Sequence, residues 1–360
     1  MENYDLNALL HRVVECNASD LFLTTGAPPQ VKVDGRVQPL PLPPLQVGQV
    51  QKLAYSAMGS KAIADFERTL ESNFAFTLPG IGRFRINVYQ QRHETGLVAR
   101  LVLGQIPGFE ALGLPQAIRD LAMLPRGLVL IIGAAGSGKT TTLASLVDYR
   151  AMHQSGHILT VEDPIEYLFR HGASTVDQRE VGVDTHSFSN ALRNAMRQAP
   201  DMIMIGEIRD QETMQHAMAY AETGHLCVST LHAGNASQAI KRILNFFPES
   251  AHTQLRMDLS LNLHAIVAQR LLPGRAGGRV LATEVLLQSA HVADLIQRGA
   301  VDELRQSLEK TSVMGTHSFD QSLLEMVQHG RITPEVALAN ADSRTDLGLR
   351  MRLHSSHDPH

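Results

Sequence analysis

With 360 residues the chain is long enough for two or three domains, and 44% hydrophobic residues with no Trp and 5% aromatics imply an aliphatic core. A net charge of −4 and a pI of about 6.5 disfavour nucleic acid as the main partner. Cys16 and Cys227 are too few for a disulfide framework or a metal knuckle, and no apolar run reaches the roughly 18 residues of a membrane span, so a cytoplasmic protein without direct membrane insertion is expected.

The first hundred residues read as an α+β domain. Leu6, Leu9, Leu10, Val13 and Val14 have helical spacing, and residues 18–24 turn strand-like. Residues 31–37 alternate around an Asp34-Gly35 turn, a hairpin signal. A helix is expected over 46–70, then strands over 72–77, 82–92 and 96–103. The domain is placed at 1–103 and a linker at 104–114, where Gly104, Pro107 and Gly108 break any regular pattern. From 115 to 285 strand and helix patterns alternate, the signature of a parallel α/β sheet. Residues 286–350 read as helices, and 351–360 as a polar tail with His354, His357 and His360.

The strongest motif opens the second domain. Gly133-Ala134-Ala135-Gly136-Ser137-Gly138-Lys139-Thr140 follows the apolar run 128–132 and precedes a helical pattern that starts at Thr141. That strand–loop–helix context identifies a P-loop. Glycines free the backbone N–H groups to curl around phosphate oxygens, and the helix N-terminus adds partial positive charge. Lys139 can reach the β- and γ-phosphates of ATP, and the Thr140 hydroxyl can ligate Mg²⁺.

Three further strands end in chemistry-bearing residues. Ligands sit at the C-terminal ends of parallel strands, so each of these ends is expected near the P-loop. The run 158–161 ends in Glu162-Asp163-Pro164-Ile165-Glu166, oxygen ligands for Mg²⁺ or its waters. The run 202–205 ends in Gly206-Glu207, where the Glu207 carboxylate can hold Mg²⁺ or polarise the attacking water. Arg193, Arg197 and Arg209 flank it, and each reads equally as a functional residue or as surface charge. The run 226–231 ends in His232, placed to touch the γ-phosphate, while His225 at its other end reads as structural.

These four motifs in this order resemble the secretion-superfamily ATPases, which name them Walker A, Asp box, Walker B and His box. The match covers about Asp20 to Leu353 and rests on Glu162-Asp163-Pro164-Ile165-Glu166, Gly206-Glu207-Ile208-Arg209-Asp210 and Thr223-Gly224-His225. Within the superfamily the chain is similar to the type IV pilus retraction ATPases of the PilT/PilU family. The longer assembly and export ATPases carry a four-cysteine module absent here. The stretch 291–299 lacks the Ala-Ile-Arg-rich signature of PilT-type chains, and the C-terminal part is closer to the PilU branch. The resemblance implies a PAS-like N-terminal domain, a RecA-like ATPase core and a hexameric ring with ATP between subunits. It assigns Gly133, Ala134, Ala135, Gly136, Ser137, Gly138, Lys139, Thr140 and Thr141 to the nucleotide, and Thr140, Glu162 and Glu207 to Mg²⁺. It makes Glu207, Glu162 and His232 catalytic, with Arg83, Arg85 and Arg100 reaching the nucleotide site from the N-terminal domain. It also implies docking to a platform protein at the inner-membrane base of a pilus, beside a sister ATPase. A nucleic-acid translocase on a RecA-like core and an ATP-binding accessory module are the alternative readings.

Overall fold

The computed structural model describes residues 4–33, 35–102, 105–310 and 313–355, the side chains of 354 and 355 excepted. Asp34 of the expected turn, Gly104 of the expected linker and the tail histidines' side chains lie outside the described residues. The chain divides into two units, Met1–Gln105 with Glu166–Leu168, and Ile106–Ile165 with Phe169–His360.

The first unit is an antiparallel sheet with helices packed on one face. Its strands are β1 (Asp20–Leu23), β2 (Gln30–Val33), β3 (Arg36–Pro39), β4 (Glu71–Leu78), β5 (Gly82–Gln91) and β6 (Glu94–Val102), in the order β3-β2-β1-β6-β5-β4. Leu21, Leu23, Phe84, Ile86, Leu97 and Ala99 point to the core, where they meet Leu6, Leu10 and Val13 of the helix Leu6–Glu15. Asp5 starts that helix by accepting from the N–H groups of Asn7 and Ala8. The single helix expected over 46–70 is two, Gln49–Ala57 and Ser60–Thr69. Met58 and Gly59 between them take extended backbone angles, which no helix can carry through.

The second unit holds β7 (Gly127–Gly133), β8 (Gly156–Glu162), β9 (Ser174–Glu180), β10 (Met202–Ile205), β11 (Leu226–Leu231), β12 (Leu263–Pro273) and β13 (Arg279–Leu287), in the order β13-β12-β7-β11-β10-β8-β9. Strand side chains alternate between two cores, as a pleated strand requires. Leu128, Leu130, Ile132, Ile203, Ile205 and Cys227 face one side, and Val129, Ile131, Met202, Met204 and Val228 the other. Burial on both faces is why these strands read as unbroken apolar runs. The helix Lys139–His153 covers the second face with Leu143, Leu146 and Val147. The helices Phe188–Ala195, Gln211–Glu222 and Ala236–Asn245 cover the first.

Three sequence expectations need correction. The sheet is parallel only as far as β12, and β13 runs antiparallel to it. The short connection 274–278 cannot make the long crossover a parallel strand needs, so it closes a hairpin. The expected linker contains a helical turn, Phe109–Leu112, whose Phe109 is buried edge-on against Tyr149 in the second core. Helices follow β13 up to Ser355, so the boundary expected at 350 moves into the expected tail. Leu295, Leu304, Phe319, Leu323 and Leu347 share the sheet's first core.

Candidate active site

The P-loop leaves β7 and enters the helix Lys139–His153 through two turns that demand glycine. Gly136 and Gly138 have φ of +75° and +90°. A Cβ on Gly133 would stand 2.3 Å from Ser137 Oγ and 2.7 Å from the Gln269 carbonyl. Ala134, Ala135 and Gly136 line an exposed rim, and a Cβ on Gly136 would meet nothing within 4 Å. Lys139 is buried, its Nζ donating to the carbonyls of Gly133 at 3.1 Å and Ala134 at 2.9 Å. Thr140 and Thr141 are half-buried at the helix start. Ser137 Oγ is buried with no hydrogen-bond partner among the described residues. An open cradle, a cation, an unsatisfied hydroxyl and the N-terminus of a 15-residue helix together fit a phosphate chain.

Parallel pairing brings the other strand ends alongside. His232 follows β11, the neighbour of β7, and its Nδ1 lies 3.5 Å from Lys139 Nζ. His232 Nε2 stands 3.1 Å from Glu207 Oε1, just past β10. Glu207 Oε2 accepts from Arg209 Nε at 2.8 Å, and Arg209 reaches Asp163 at 3.5 Å. Lys139, His232, Glu207, Arg209 and Asp163 thus form one continuous chain across the ends of β7, β11, β10 and β8. The hydrogen bond to Glu207 is the main reason the Arg209 guanidinium holds its proton more tightly than usual. Gly206 keeps the strands close, since a Cβ there would press on the Val161 carbonyl at 3.3 Å.

The acidic cluster does not act as a block. Glu162 is buried, accepting from Thr160 Oγ1 at 2.7 Å and Gln178 Nε2 at 3.0 Å. Asp163 joins the chain described above, while Glu166 is exposed and groups with the first unit. Among the described residues no group of three or more His, Cys, Asp or Glu could hold a metal ion by itself. A divalent cation here would rest on Thr140, few carboxylates, phosphate oxygens and water, as Mg²⁺ commonly does.

Arg83, Arg85 and Arg100 lie on β5 and β6, on the face of the first unit's sheet opposite its core. Arg85 and Arg100 are register partners. Arg100 Nε donates at 2.7 Å to Asp20, which is buried, so this arginine also holds its own unit together. Arg193 sits 3.9 Å from Glu212, Arg197 is exposed, and His225 bonds Thr223 and the Tyr220 carbonyl, a structural role. Sequence reasoning missed a cavity of about 530 Å³ beside the P-loop, lined by Glu110, Gly138, Thr141, Leu271, Arg279 and Arg331. No local signal marks it, because its walls come from stretches of the chain as far apart as Glu110 and Arg331.

A family described as "Type II/IV secretion system protein" matches residues 2–329. The type IV pilus ATPase PilU of Pseudomonas aeruginosa is 49% identical over 355 residues, 98% of this chain and 93% of PilU. The type IV pilus retraction ATPase PilT of the same organism is 40% identical, covering 94% of this chain and 98% of PilT. A crystal structure of the pilus retraction motor PilT with bound ADP superposes with a TM-score of 0.90 at 41% identity, covering 96% of this chain and 99% of that one. Match, superposition and strand-end chemistry agree: the chain belongs to the Type II/IV secretion system protein family.

Proposed function

We propose that the protein is an ATP-hydrolysing motor that drives retraction of type IV pili, in the manner of PilU. One observation carries the chemistry: the continuous chain from Lys139 through His232 to Glu207 at the ends of adjacent parallel strands. The P-loop, Gly133 to Thr140 with Thr141, cradles the phosphates of ATP, and Lys139 places its cation on the β- and γ-oxygens. The adjoining cavity receives the base and ribose. Glu207 accepts a proton from, or orients, the attacking water, and His232 links that carboxylate to the phosphate end. Thr140, with Glu162 and Glu207 acting directly or through water, would hold Mg²⁺, which would supply positive charge to offset that of the phosphates. Phosphoryl transfer needs little beyond such positioning and charge stabilisation.

The finer architecture is part of the same reading. The N-terminal unit is a PAS-like domain and the ATPase unit is RecA-like, supported by a single antiparallel sheet in the first and P-loop-bearing parallel strands in the second. The active assembly is a hexamer in which Arg83, with Arg85 and Arg100 behind it, stabilises transition-state charge at a neighbour's site. The ring docks on a platform protein at the inner-membrane base of the pilus, beside a sister ATPase. Among the described residues no helix is long and apolar enough to cross a membrane, and in this reading a protein partner is the anchor. Relatives at 49% and 40% identity favour neither the nucleic-acid translocase nor the ATP-binding accessory module.

The test is deletion of the gene in a piliated cell, with pilus number and retraction scored. Cells lacking the protein should keep their pili and move poorly under load. The parent chain should restore movement and Lys139→Ala should not. Normal force without the protein, or full repair by Lys139→Ala, overturns the proposal.

A further inference from the structure

Beside the site, a second set of charged residues gathers where β12 and β13 meet the C-terminal helices. Arg270 lies one residue past Gln269, the register partner of Gly133 at the root of the P-loop. Successive strand residues point to opposite faces. Gln269 Nε2 donates to Thr142 Oγ1 of the P-loop helix at 2.7 Å. Arg270 turns the other way and spreads its guanidinium over the Phe319 ring, 3.8 Å from the centroid. Its Nη1 donates to the Asn340 carbonyl at 2.6 Å, and its Nη2 to Asp342 Oδ1 at 2.7 Å and, at the 3.5 Å limit of a hydrogen bond, to the Gly234 carbonyl. Gly234 is two residues beyond His232.

The loop from His232 to Ala236 is pinned at both ends. Thr230 Oγ1 donates to the Gly206 carbonyl at 2.6 Å, tying β11 to the strand end that carries Glu207. The Ala236 N–H donates to buried Glu284 of β13 at 2.8 Å. Arg270 holds the middle. Its partner Asp342 is fixed in turn, because buried Asp320 accepts from the N–H groups of Asp342 and Ser343 at 2.8 and 2.9 Å. The C-terminal helices thus reach the His232 loop through one planar, five-donor side chain.

We infer that Arg270, clamped by Asp342 and the Asn340 carbonyl, is a positioning residue for ATP hydrolysis, through which the C-terminal helices set the place of His232 between Lys139 and Glu207. A change in how those helices pack moves the Gly234 carbonyl, and with it His232. This rests on the reading of His232 as part of the hydrolytic site.

The experiment is a double-mutant cycle in the full-length protein, with kcat and KM for ATP and the melting temperature measured for each variant. Arg270→Lys keeps the charge but cannot hold three acceptors in one plane. It should lower kcat about 10-fold or more with KM changed less than about 3-fold, as expected when a reacting group is displaced by a fraction of an ångström. In a His232→Ala background Arg270→Lys should cost nothing further, because the group it positions is gone. If Arg270→Lys fails to fold, Asp342→Asn, which leaves Arg270 a neutral acceptor, carries the same expectation in milder form. Equal and additive losses in both backgrounds make Arg270 merely structural and overturn the inference alone. A kcat for His232→Ala equal to that of the parent overturns the reading of His232, and the inference with it.

Discussion

Two ionic clusters stand on neighbouring strand ends of the ATPase unit. Lys139, His232, Glu207, Arg209 and Asp163 run along an open edge where Arg209 and Asp163 keep 53% and 42% of their side-chain surface. Arg270, Asp342, Glu284 and Asp320 lie under the C-terminal helices, where Asp342 keeps 15% and Asp320 5%. The residue types are nearly the same. Water screens the outer members of the first cluster, so their pairings are weak and can be traded for a ligand. The second is shielded, so each charge must keep its partner and the cluster acts as a fixed joint. Solvent access thus separates Asp163 from Asp342 and Asp320, whereas Glu207, with 19% of its side-chain surface exposed, is assigned to chemistry by its strand end and its contact with His232.

The largest expected effect lies in the open cluster. Lys139→Ala and Glu207→Gln should each slow phosphate release by about 100-fold or more. They should differ in binding: Lys139→Ala loses affinity for a fluorescent ATP analogue, whereas Glu207→Gln binds and retains it. A Glu207→Gln protein that hydrolyses at the parent rate removes that residue from the reaction and erases the contrast between the clusters.

The shielded cluster should show itself through pH. Burial raises the Glu284 carboxyl from 4.5 to about 7, with Asp342 adding to the rise and the Ala236 N–H, Arg270 and Arg305 opposing it. The folded state therefore holds this proton more tightly than the unfolded chain. Its contribution to stability is complete below about pH 4.5, is lost as pH rises towards 7, and is flat above. Glu284→Gln keeps an acceptor for Ala236 but does not titrate. Between pH 5 and 8 the parent should lose about 3–6 °C more in melting temperature than Glu284→Gln. Parallel curves would place Glu284 in a solvated setting and blur the comparison.

The smallest effect sharpens the contrast from the other side. Asp163→Ala removes an exposed partner 3.5 Å from Arg209. Its stability cost should stay within about 0.5 kcal/mol, a shift of about 2 °C or less in the melting curve. A larger drop would mean that the open edge is also part of the scaffold.

What the sequence reveals follows from range. The P-loop and the acid-tipped strands are local patterns, so Gly133 to Thr140, Glu162, Glu207 and His232 are legible from the order of residues alone. The contact of Lys139 with His232 joins residues 93 apart in the chain, and parallel order can suggest it but not fix it. Arg270 and Asp342 are 72 apart, and nothing in either segment announces the other. Glu284 carries a weak local signal, a lone carboxylate between Ala282 and Leu286 in an apolar strand, easily passed over without knowing that Ala236 needs an acceptor there. The β12–β13 hairpin is hidden for another reason: β13, an antiparallel edge strand whose middle is buried on both faces, has much the same composition as its parallel neighbours. The break at Met58 and Gly59 depends on two backbone angles that helical periodicity does not register.

Gln269 and Arg270 are consecutive, yet one bonds the helix behind the P-loop and the other the loop carrying His232. A single peptide unit of β12 is therefore the fulcrum between the phosphate cradle and the rest of the unit. A slip of one residue in the pairing of β12 with β7 would exchange the two side chains between faces and cut both connections together. Chimeras among members of this family are constrained accordingly. A junction between Gln269 and Arg270 splits the fulcrum, whereas one placed after Leu287 moves the C-terminal helices whole and keeps function only if the donor brings an acid to meet Arg270.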